Sequence, residues 1–181
     1  MSFGTIRQLG FVVPDLEQAL RHWVERLGVG PFFHVGHQPV NDFTFRGEPS
    51  PAPHFSVALA QAGPVQIELI QQHDDAPSAF LEFTREGREG LQHVAYWTTS
   101  FDDLTASVLG TGHVEVQAGR SGSGAPDERF AYFEAGGPQG TIVEVSEVSG
   151  RKKALFEAVA AAGTDWDGTD PVRDMTSLVT R

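Results

Sequence analysis

Cysteine is absent from the 181-residue chain, which excludes both a disulfide framework and thiolate chemistry. No apolar run approaches the roughly 20 residues that a helix needs to cross a bilayer, so we expect no membrane partner. The first six residues do not place a basic segment before an apolar one, so no signal peptide is expected. A cytoplasmic location is therefore the default prediction.

Basic residues are also scarce, with 13 Lys and Arg against 24 Asp and Glu, which gives a net charge of −11. Nucleic-acid binding needs a clustered positive surface, so this balance argues against a nucleic-acid partner. An anionic small molecule stays open, because one or two local arginines can act against the global field. A hydrophobic fraction of 40% is ordinary for a globular protein.

The chain does contain an internal repeat. The run at 8–13, Gln-Leu-Gly-Phe-Val-Val, returns at 93–98 as His-Val-Ala-Tyr-Trp-Thr, and each run precedes the start of an acidic helix. Each half then closes on a β-type run with a glutamate in its middle, Glu68 in the first and Glu144 in the second. A repeat of this kind predicts the architecture before any single residue is interpreted. It also places Gln8, Glu68, His93 and Glu144 at equivalent points of two copies.

The predicted elements form a strand, a helix and three strands in each copy. Strands are expected at 6–13, 31–37, 53–61 and 64–71 in the first copy and at 90–98, 113–118, 129–135 and 140–147 in the second. Asp15 begins the first helix with Gln18 in a capping box, and Ser100 with Asp103 repeats the pattern loosely in the second. The stretch 38–54 is expected to be a long loop or an interrupted strand.

This order predicts an α+β fold with tandem βαβββ modules. The first module spans 1–75, a connector spans 76–89, the second module spans 90–148, and a C-terminal helix and tail span 149–181. Within the last segment, a helix is expected at 151–163, and the polar remainder is expected to lie over the surface.

Both glutamates lie in strands that are otherwise apolar. In 64–71, Glu68 faces away from Val65, Ile67 and Leu69, and in 140–147 Glu144 faces away from Val143 and Val145, as the alternation of a strand requires. Burying an unpaired carboxylate is very costly, so each needs a partner. A divalent cation would be one partner, and the alternative is an arginine, for which Arg7, Arg88 and Arg129 are available.

The opening runs Gln8-Leu9-Gly10 and His93-Val94-Ala95 and the closing runs Ile67-Glu68-Leu69 and Val143-Glu144-Val145 carry a family resemblance. Over residues 5–148 the chain resembles the vicinal oxygen chelate superfamily, which includes glyoxalase I, methylmalonyl-CoA epimerase, extradiol dioxygenases and the fosfomycin and bleomycin resistance proteins. The run 90–95 looks most like the epimerase and glyoxalase branch. The resemblance implies that the two modules form one cupped mixed sheet with a metal ion inside it.

The implied ligand set is Gln8, Glu68, His93 and Glu144, three oxygens and one imidazole nitrogen. Such a set suits octahedral coordination with open water positions, and the cofactor would be a divalent Zn, Ni, Co, Mn or Mg ion. The order Gln, Glu, His, Glu resembles that of zinc-type glyoxalase I. Gln8 stands where the epimerase and dioxygenase branches usually have a histidine.

These ligands imply a metal-dependent lyase or isomerase/epimerase that abstracts a proton next to a carbonyl chelated to the metal. By resemblance, Glu144 is the base and a ligand, and Glu68 is a ligand or the partner base, with Glu48 as a more distant alternative. The expected partner is a small carbonyl compound with a hydrophobic part. Strand aromatics that could line its pocket are Phe32, Phe33, Phe43, Phe45, Phe55, Trp97 and Phe133. A homodimer is expected by analogy with the fold.

Two other functions remain open at this stage. The chain could be a metal-free protein of the same fold that binds a hydrophobic ligand or drug, with His93 and the glutamates paired to protein groups. An extradiol dioxygenase is the third hypothesis, although that chemistry resembles a set of two histidines and one carboxylate, and Gln8 or Glu68 takes the place of one histidine.

Overall fold

The computed structural model describes residues 3–135 and 141–178. In chain order the elements are β1 (Ile6–Val12), α1 (Leu16–Glu25), β2 (Phe32–Val35), β3 (Val40–Phe45), β4 (Glu48–Pro49), β5 (Phe55–Ala62), β6 (Val65–Gln72), α2 (Ala79–Arg85), β7 (Gly90–Thr98), α3 (Phe101–Leu109), β8 (His113–Ser121), β9 (Arg129–Ala135), β10 (Ile142–Glu147), α4 (Gly150–Gly163), β11 (Val172–Asp174) and a 3₁₀ helix (Met175–Leu178). The predicted α+β fold with two βαβββ modules is confirmed: β1, α1, β2, β5 and β6 form the first, and β7, α3, β8, β9 and β10 form the second.

The described strands join in one mixed sheet of order β11-β2-β5-β6-β1-β7-β10-β9-β8-β3-β4. In each module the first strand pairs in parallel with the last, β1 with β6 and β7 with β10. The two modules then meet where β1 pairs antiparallel with β7. The two glutamate strands therefore flank the seam between the copies. Because one sheet runs through both modules, the division of the chain at 75, 89 and 148 stays a prediction.

The stretch between β2 and β5 closes the sheet into a cup. It contains β3, which leaves the first module and pairs with β8 at the far edge of the second, Val40 opposite Ser121 and Phe45 opposite Gln117. The connection from β2 to β3 at 36–39 can span roughly 18 Å at most, so the two distant edges of the sheet must approach each other. The interrupted-strand form of the prediction for 38–54 is therefore the correct one.

Helices α1 and α3 cover the outer face of the cup. Leu16 and Leu20 of α1 pack on Ile67 and Leu69 of β6, and the buried Val108 of α3 packs in the equivalent cluster on β10. Asp15 caps α1 as predicted, since its carboxylate accepts a hydrogen bond from the backbone N–H of Gln18 at 2.8 Å. Ser100 occupies the N-cap position of α3, but its hydroxyl makes no capping hydrogen bond.

The C-terminal segment enters the cup instead of lying only on the surface. The predicted helix is present as α4, and its Val159 is buried. The expectation that 164–178 lies over the surface is wrong for its end, because β11 pairs with β2 and Met175 is only 7% exposed within the main core cluster. Met175 and Leu178, which both pack in this cluster, are too few apolar residues to predict the packing from the sequence. None of the described helices is long and apolar enough to span a membrane.

The pairing of β1 with β7 places Gly10 opposite His93, and this contact can be tested. A Cβ atom added at Gly10 would fall 1.8 Å from Cε1 of the His93 ring, so the ring or the strand would have to move. We expect Gly10→Ala to lower the free energy of unfolding by about 1–3 kcal/mol, as overpacking in a rigid core does, measured by urea denaturation.

The matched control is Gly36→Ala, because a Cβ at Gly36 has no heavy atom within 4 Å. Its stability is expected to stay within about 0.5 kcal/mol of the unchanged protein, as is usual for open surface positions. Equal stabilities of the two variants would contradict the contact between Gly10 and His93.

Candidate functional site

Four neighbouring strands carry the four residues that the sequence singled out. Glu68 lies on β6, Gln8 on β1, His93 on β7 and Glu144 on β10, and these strands are adjacent in the order β6-β1-β7-β10. Across the sheet they fall in two rows. Glu68 and His93 are both register partners of Gly10, while Gln8 and Glu144 are both register partners of Ala95.

The two small residues explain why the space between the ligands is open. Gly10 leaves room for the ring of His93, and Ala95, fully buried, has only a methyl group where the second row crosses the seam. A glycine within a strand often marks a close approach of another group, and this signal could have indicated the role of Gly10 from the sequence. The site is therefore shaped by residues that carry no chemistry of their own.

Three side chains converge on one point. The Nε2 atom of His93 lies 3.3 Å from an oxygen of Glu68 and 3.2 Å from an oxygen of Glu144. The donor atoms of these three residues all lie within 4.8 Å of one another. Gln8 is buried beside them, and its amide nitrogen donates to Oε1 of Gln66 at 2.8 Å. That bond leaves the amide oxygen of Gln8 as the atom available to a ligand.

A further residue, Gln92, orients the imidazole. Its Oε1 atom lies 2.9 Å from Nδ1 of His93, and its amide nitrogen donates to the backbone oxygen of Ala79 at 2.9 Å. An acceptor at Nδ1 requires the proton to sit there in the neutral ring, which leaves the lone pair of Nε2 directed at the two carboxylates. Gln92 was not predicted from the sequence, because nothing in a strand pattern marks a residue that acts through its neighbour.

The ionisation of the site follows from its burial and charge. Burial disfavours the charged imidazole, but the carboxylates of Glu144 and Glu68 outweigh it and raise the pKa of His93 to about 9. Burial raises the pKa of Glu68, and His93 opposes that rise. Tyr132, whose ring centroid lies 4.7 Å from that of His93, has its pKa raised well above its ordinary value by burial and by both carboxylates. Its phenol therefore stays neutral.

The residues present fit a divalent cation. Within the described part of the chain, the buried atoms Nε2 of His93 and Oε2 of Glu144 have no hydrogen-bond partner, and one shared cation would satisfy both. The alternative arginine partners are engaged elsewhere. Arg7 lies over the ring of Trp97, Arg88 pairs with Glu86, and Arg129 pairs with Glu147 and Asp102.

A cavity of about 350 Å³ opens above this group, and Gln8, Glu68 and Glu144 lie in its wall. Its remaining lining is mainly apolar, and the aromatic members are Phe43, Phe55, Phe80, Phe130, Tyr132 and Phe156. Only Phe43 and Phe55 were among the aromatics suggested by the sequence. Phe32, Phe33 and Phe133 are core residues with at most 2% exposure, and Glu48 is exposed on β4 outside this lining.

Known proteins agree with this architecture. A family model described as the Glyoxalase/Bleomycin resistance protein/Dioxygenase superfamily matches residues 7–132. Glu144 and the whole C-terminal segment lie beyond that match, so their place in the site depends on the geometry. No curated protein matches the sequence significantly.

Two solved structures have a similar fold at low sequence identity. A hypothetical protein from Bacillus halodurans has a TM-score of 0.57 and 19% identity, covering 81% of this chain and 96% of its own. Methylmalonyl-CoA epimerase from Mycobacterium tuberculosis has a TM-score of 0.56 and 22% identity, covering 82% of this chain and 91% of its own. The match of the family model, the tandem βαβββ modules and the shared sheet together show that the chain belongs to the glyoxalase, bleomycin resistance protein and dioxygenase superfamily, the vicinal oxygen chelate fold.

Proposed function

We propose that the protein is a metal-dependent lyase or isomerase/epimerase that moves a proton next to a carbonyl group of a small substrate. The observation that carries this proposal is the convergence of Glu68, His93 and Glu144 within 4.8 Å, at the wall of an apolar cavity, with two of their buried donor atoms unpartnered in the described residues. Gln8 is the fourth proposed ligand. A bound divalent ion would polarise the carbonyl and stabilise the negative charge that develops on its oxygen.

The two carboxylates supply the proton chemistry. They lie on β6 and β10, on opposite sides of β7. One oxygen of each approaches Nε2 of His93, at 3.3 Å for Glu68 and 3.2 Å for Glu144. We assign Glu144 as the base, as the resemblance to glyoxalase I implies, and its Oε2 atom lies 3.2 Å from Nε2 of His93. Burial raises the pKa of Glu68, so this residue is suited to hold a proton and return it. A proton removed by one carboxylate and returned by the other would invert the carbon centre.

The lining of the cavity favours a compact carbonyl compound with a hydrophobic part. A cofactor thioester with phosphate groups would need a cluster of unpaired basic residues. Four arginines are each in an ion pair: Arg46 with Glu82 and Glu134, Arg85 with Asp75, Arg88 with Glu86, and Arg120 with Asp42. Among the described residues, the basic side chains that line the cavity without an ion pair are Arg151 and Lys152, which are too few for such a cluster. A homodimer and a cytoplasmic location stay predictions.

A metal-free binding protein is the second candidate function. It is favoured by the apolar cavity and by the pKa of about 9 for His93, since a protonated imidazole can pair with both carboxylates without any metal. The dioxygenase hypothesis is not supported by this donor set, because the cluster contains one histidine and two carboxylates where that chemistry uses two histidines and one carboxylate.

Metal content separates the two functions. We expect about one divalent ion per chain by inductively coupled plasma mass spectrometry of protein purified without a histidine tag. His93→Ala and Glu144→Ala should lose it, because each removes a ligand from a small buried set. Glu48→Ala is the control and should keep the ion, since Glu48 is exposed on the edge strand. The metal-dependent mechanism would be contradicted if the unchanged protein contained no ion and if added Zn, Ni, Co, Mn or Mg gave no thermal stabilisation.

Metal binding should also depend on pH in a defined direction. His93 has a pKa of about 9, so below that pH a cation must displace its proton. The apparent affinity should therefore rise about tenfold per pH unit between pH 6 and 8 and level off near pH 9. Calorimetric titration with Zn in buffers of different ionisation enthalpy would report the released proton. An affinity that does not change with pH over this range would contradict the protonated state of His93.

The role of Glu144 as the base can be tested separately from its role as a metal ligand. Glu144→Gln keeps the size and an oxygen donor but removes the proton acceptor. We expect it to retain at least part of the metal and to lose α-proton exchange in D₂O by about 10²-fold or more, as measured by proton NMR on a carbonyl compound that the unchanged protein deuterates. Full exchange in Glu144→Gln together with loss in Glu68→Gln would reverse the assignment of the base.

A further inference from the structure

A buried lysine enters the cavity from the C-terminal segment, outside the residues that the family model matches. Lys152 lies in the first turn of α4, is only 8% exposed, and lines the same cavity as Glu144 and Ser146. The strand pattern of the two modules gave no sign of it, and nothing in the proposed proton transfer uses it.

Neutral groups hold the ammonium of Lys152. Its Nζ atom donates to the backbone oxygens of Glu128 at 3.1 Å and Arg129 at 3.2 Å, and it lies 3.5 Å from the hydroxyl of Ser146. The last contact is at the limit for a hydrogen bond and is the easiest to replace. In residues 3–135 and 141–178, Lys152 forms no ion pair.

The neighbouring acids are already engaged with other groups. The carboxylate of Glu128 accepts hydrogen bonds from the hydroxyl of Ser123 at 2.8 Å and from the backbone N–H of Ala125 at 3.2 Å. The carboxylate of Glu147 pairs with Arg129 at 2.6 Å. Lys152 therefore has no ion pair among the described residues, and the carboxylates of Glu144, Glu128, Glu147 and Glu68 act on its charge only through space, where they raise its pKa against the larger effect of burial.

This placement is unfavourable for folding alone. Burial disfavours an unpaired charge and lowers the pKa of Lys152, and the first turn of a helix is the end of the dipole that repels a cation. The next residue shows the ordinary alternative, since Lys153 is 60% exposed and pairs with Glu157 one turn along the same helix. An anion bound in the cavity would offset the cost at Lys152.

The position of Lys152 relative to the proposed metal ligands indicates where such an anion would lie. Ser146 and Glu144 are two residues apart on β10 and both line the cavity, so they are separated by roughly 7 Å along the strand. A divalent ion at the floor would neutralise Glu68 and Glu144. Lys152 would then be a buried positive charge in the cavity wall without a counterion, next to the exposed Arg151.

We propose that Lys152 binds an anionic group of the substrate, so that the substrate class is an apolar carbonyl compound that also carries a carboxylate or similar oxyanion. The position of the carbonyl rests on the proposed function. The binding of an anion beside Lys152 does not, and it can be measured with or without metal.

A pair of fluorescent probes tests the charge directly. 8-Anilinonaphthalene-1-sulfonate and N-phenyl-1-naphthylamine differ only by the sulfonate, and both match an apolar cavity. We expect Lys152→Met to weaken binding of the sulfonate probe at least tenfold and to change binding of the uncharged probe less than twofold. Lys153→Met is the matched control and should change neither. Equal effects of Lys152→Met on both probes, or no effect on the sulfonate probe, would overturn the proposal.

A crystal structure of the unchanged protein with the sulfonate probe keeps the test independent of whether Lys152→Met folds. A sulfonate oxygen within hydrogen-bond distance of Nζ of Lys152 would support the proposal, and a sulfonate bound elsewhere would overturn it. Titrations with EDTA and with Zn separate the two proposals. Charge-selective binding without any bound metal would leave the anion site standing and remove the metal mechanism, whereas bound metal without charge selectivity would do the reverse.

Discussion

The antiparallel pairing of β1 with β7 is the constraint on which the rest of the molecule depends. It joins the two repeats and brings β6, β1, β7 and β10 side by side, so that one residue of each strand reaches the same space. The pairing works only because Gly10 has no side chain where His93 packs, at a position where a Cβ would fall 1.8 Å from the ring. The stability of the seam and the geometry of the site are therefore coupled.

The charges of the side chains around the cavity then determine what the site can bind. The carboxylates of Glu68, which is half-buried, and Glu144, which is buried, surround one imidazole. The three arginines expected as alternative partners, Arg7, Arg88 and Arg129, each contact other residues. Such a group is costly for the fold unless a proton or a cation is shared, which is why its ionisation and any metal binding must be linked. Lys152 adds a positive charge to the wall of the same cavity, beside Ser146 on the strand that carries Glu144. A cavity with charges of both signs and a mainly apolar lining favours a ligand that has both a polar and an apolar part.

The segments outside the two βαβββ modules enclose the cavity. β3 carries the chain from one edge of the sheet to the other, and α4, β11 and the 3₁₀ helix bring Lys152, Leu155 and Met175 to the cavity. The modules supply the proposed chemistry, and these additions limit what can reach it. Differences in substrate between proteins that share this fold are expected to arise from such additions, because loops and termini can change without disturbing the paired strands.

The repeat, the helices and most strands could be predicted from the sequence, because each depends on local periodicity and on caps such as Asp15. It also singled out Gln8, Glu68, His93 and Glu144, because alternation and equivalent repeat positions place polar groups on one face of apolar strands. The folded structure was needed to show that these residues meet, that Gln92 orients the ring of His93, that Tyr132 and not Phe133 lines the cavity, and that Lys152 enters it. Those features depend on register, on sheet curvature and on contacts between residues far apart in the chain, none of which leaves a local pattern.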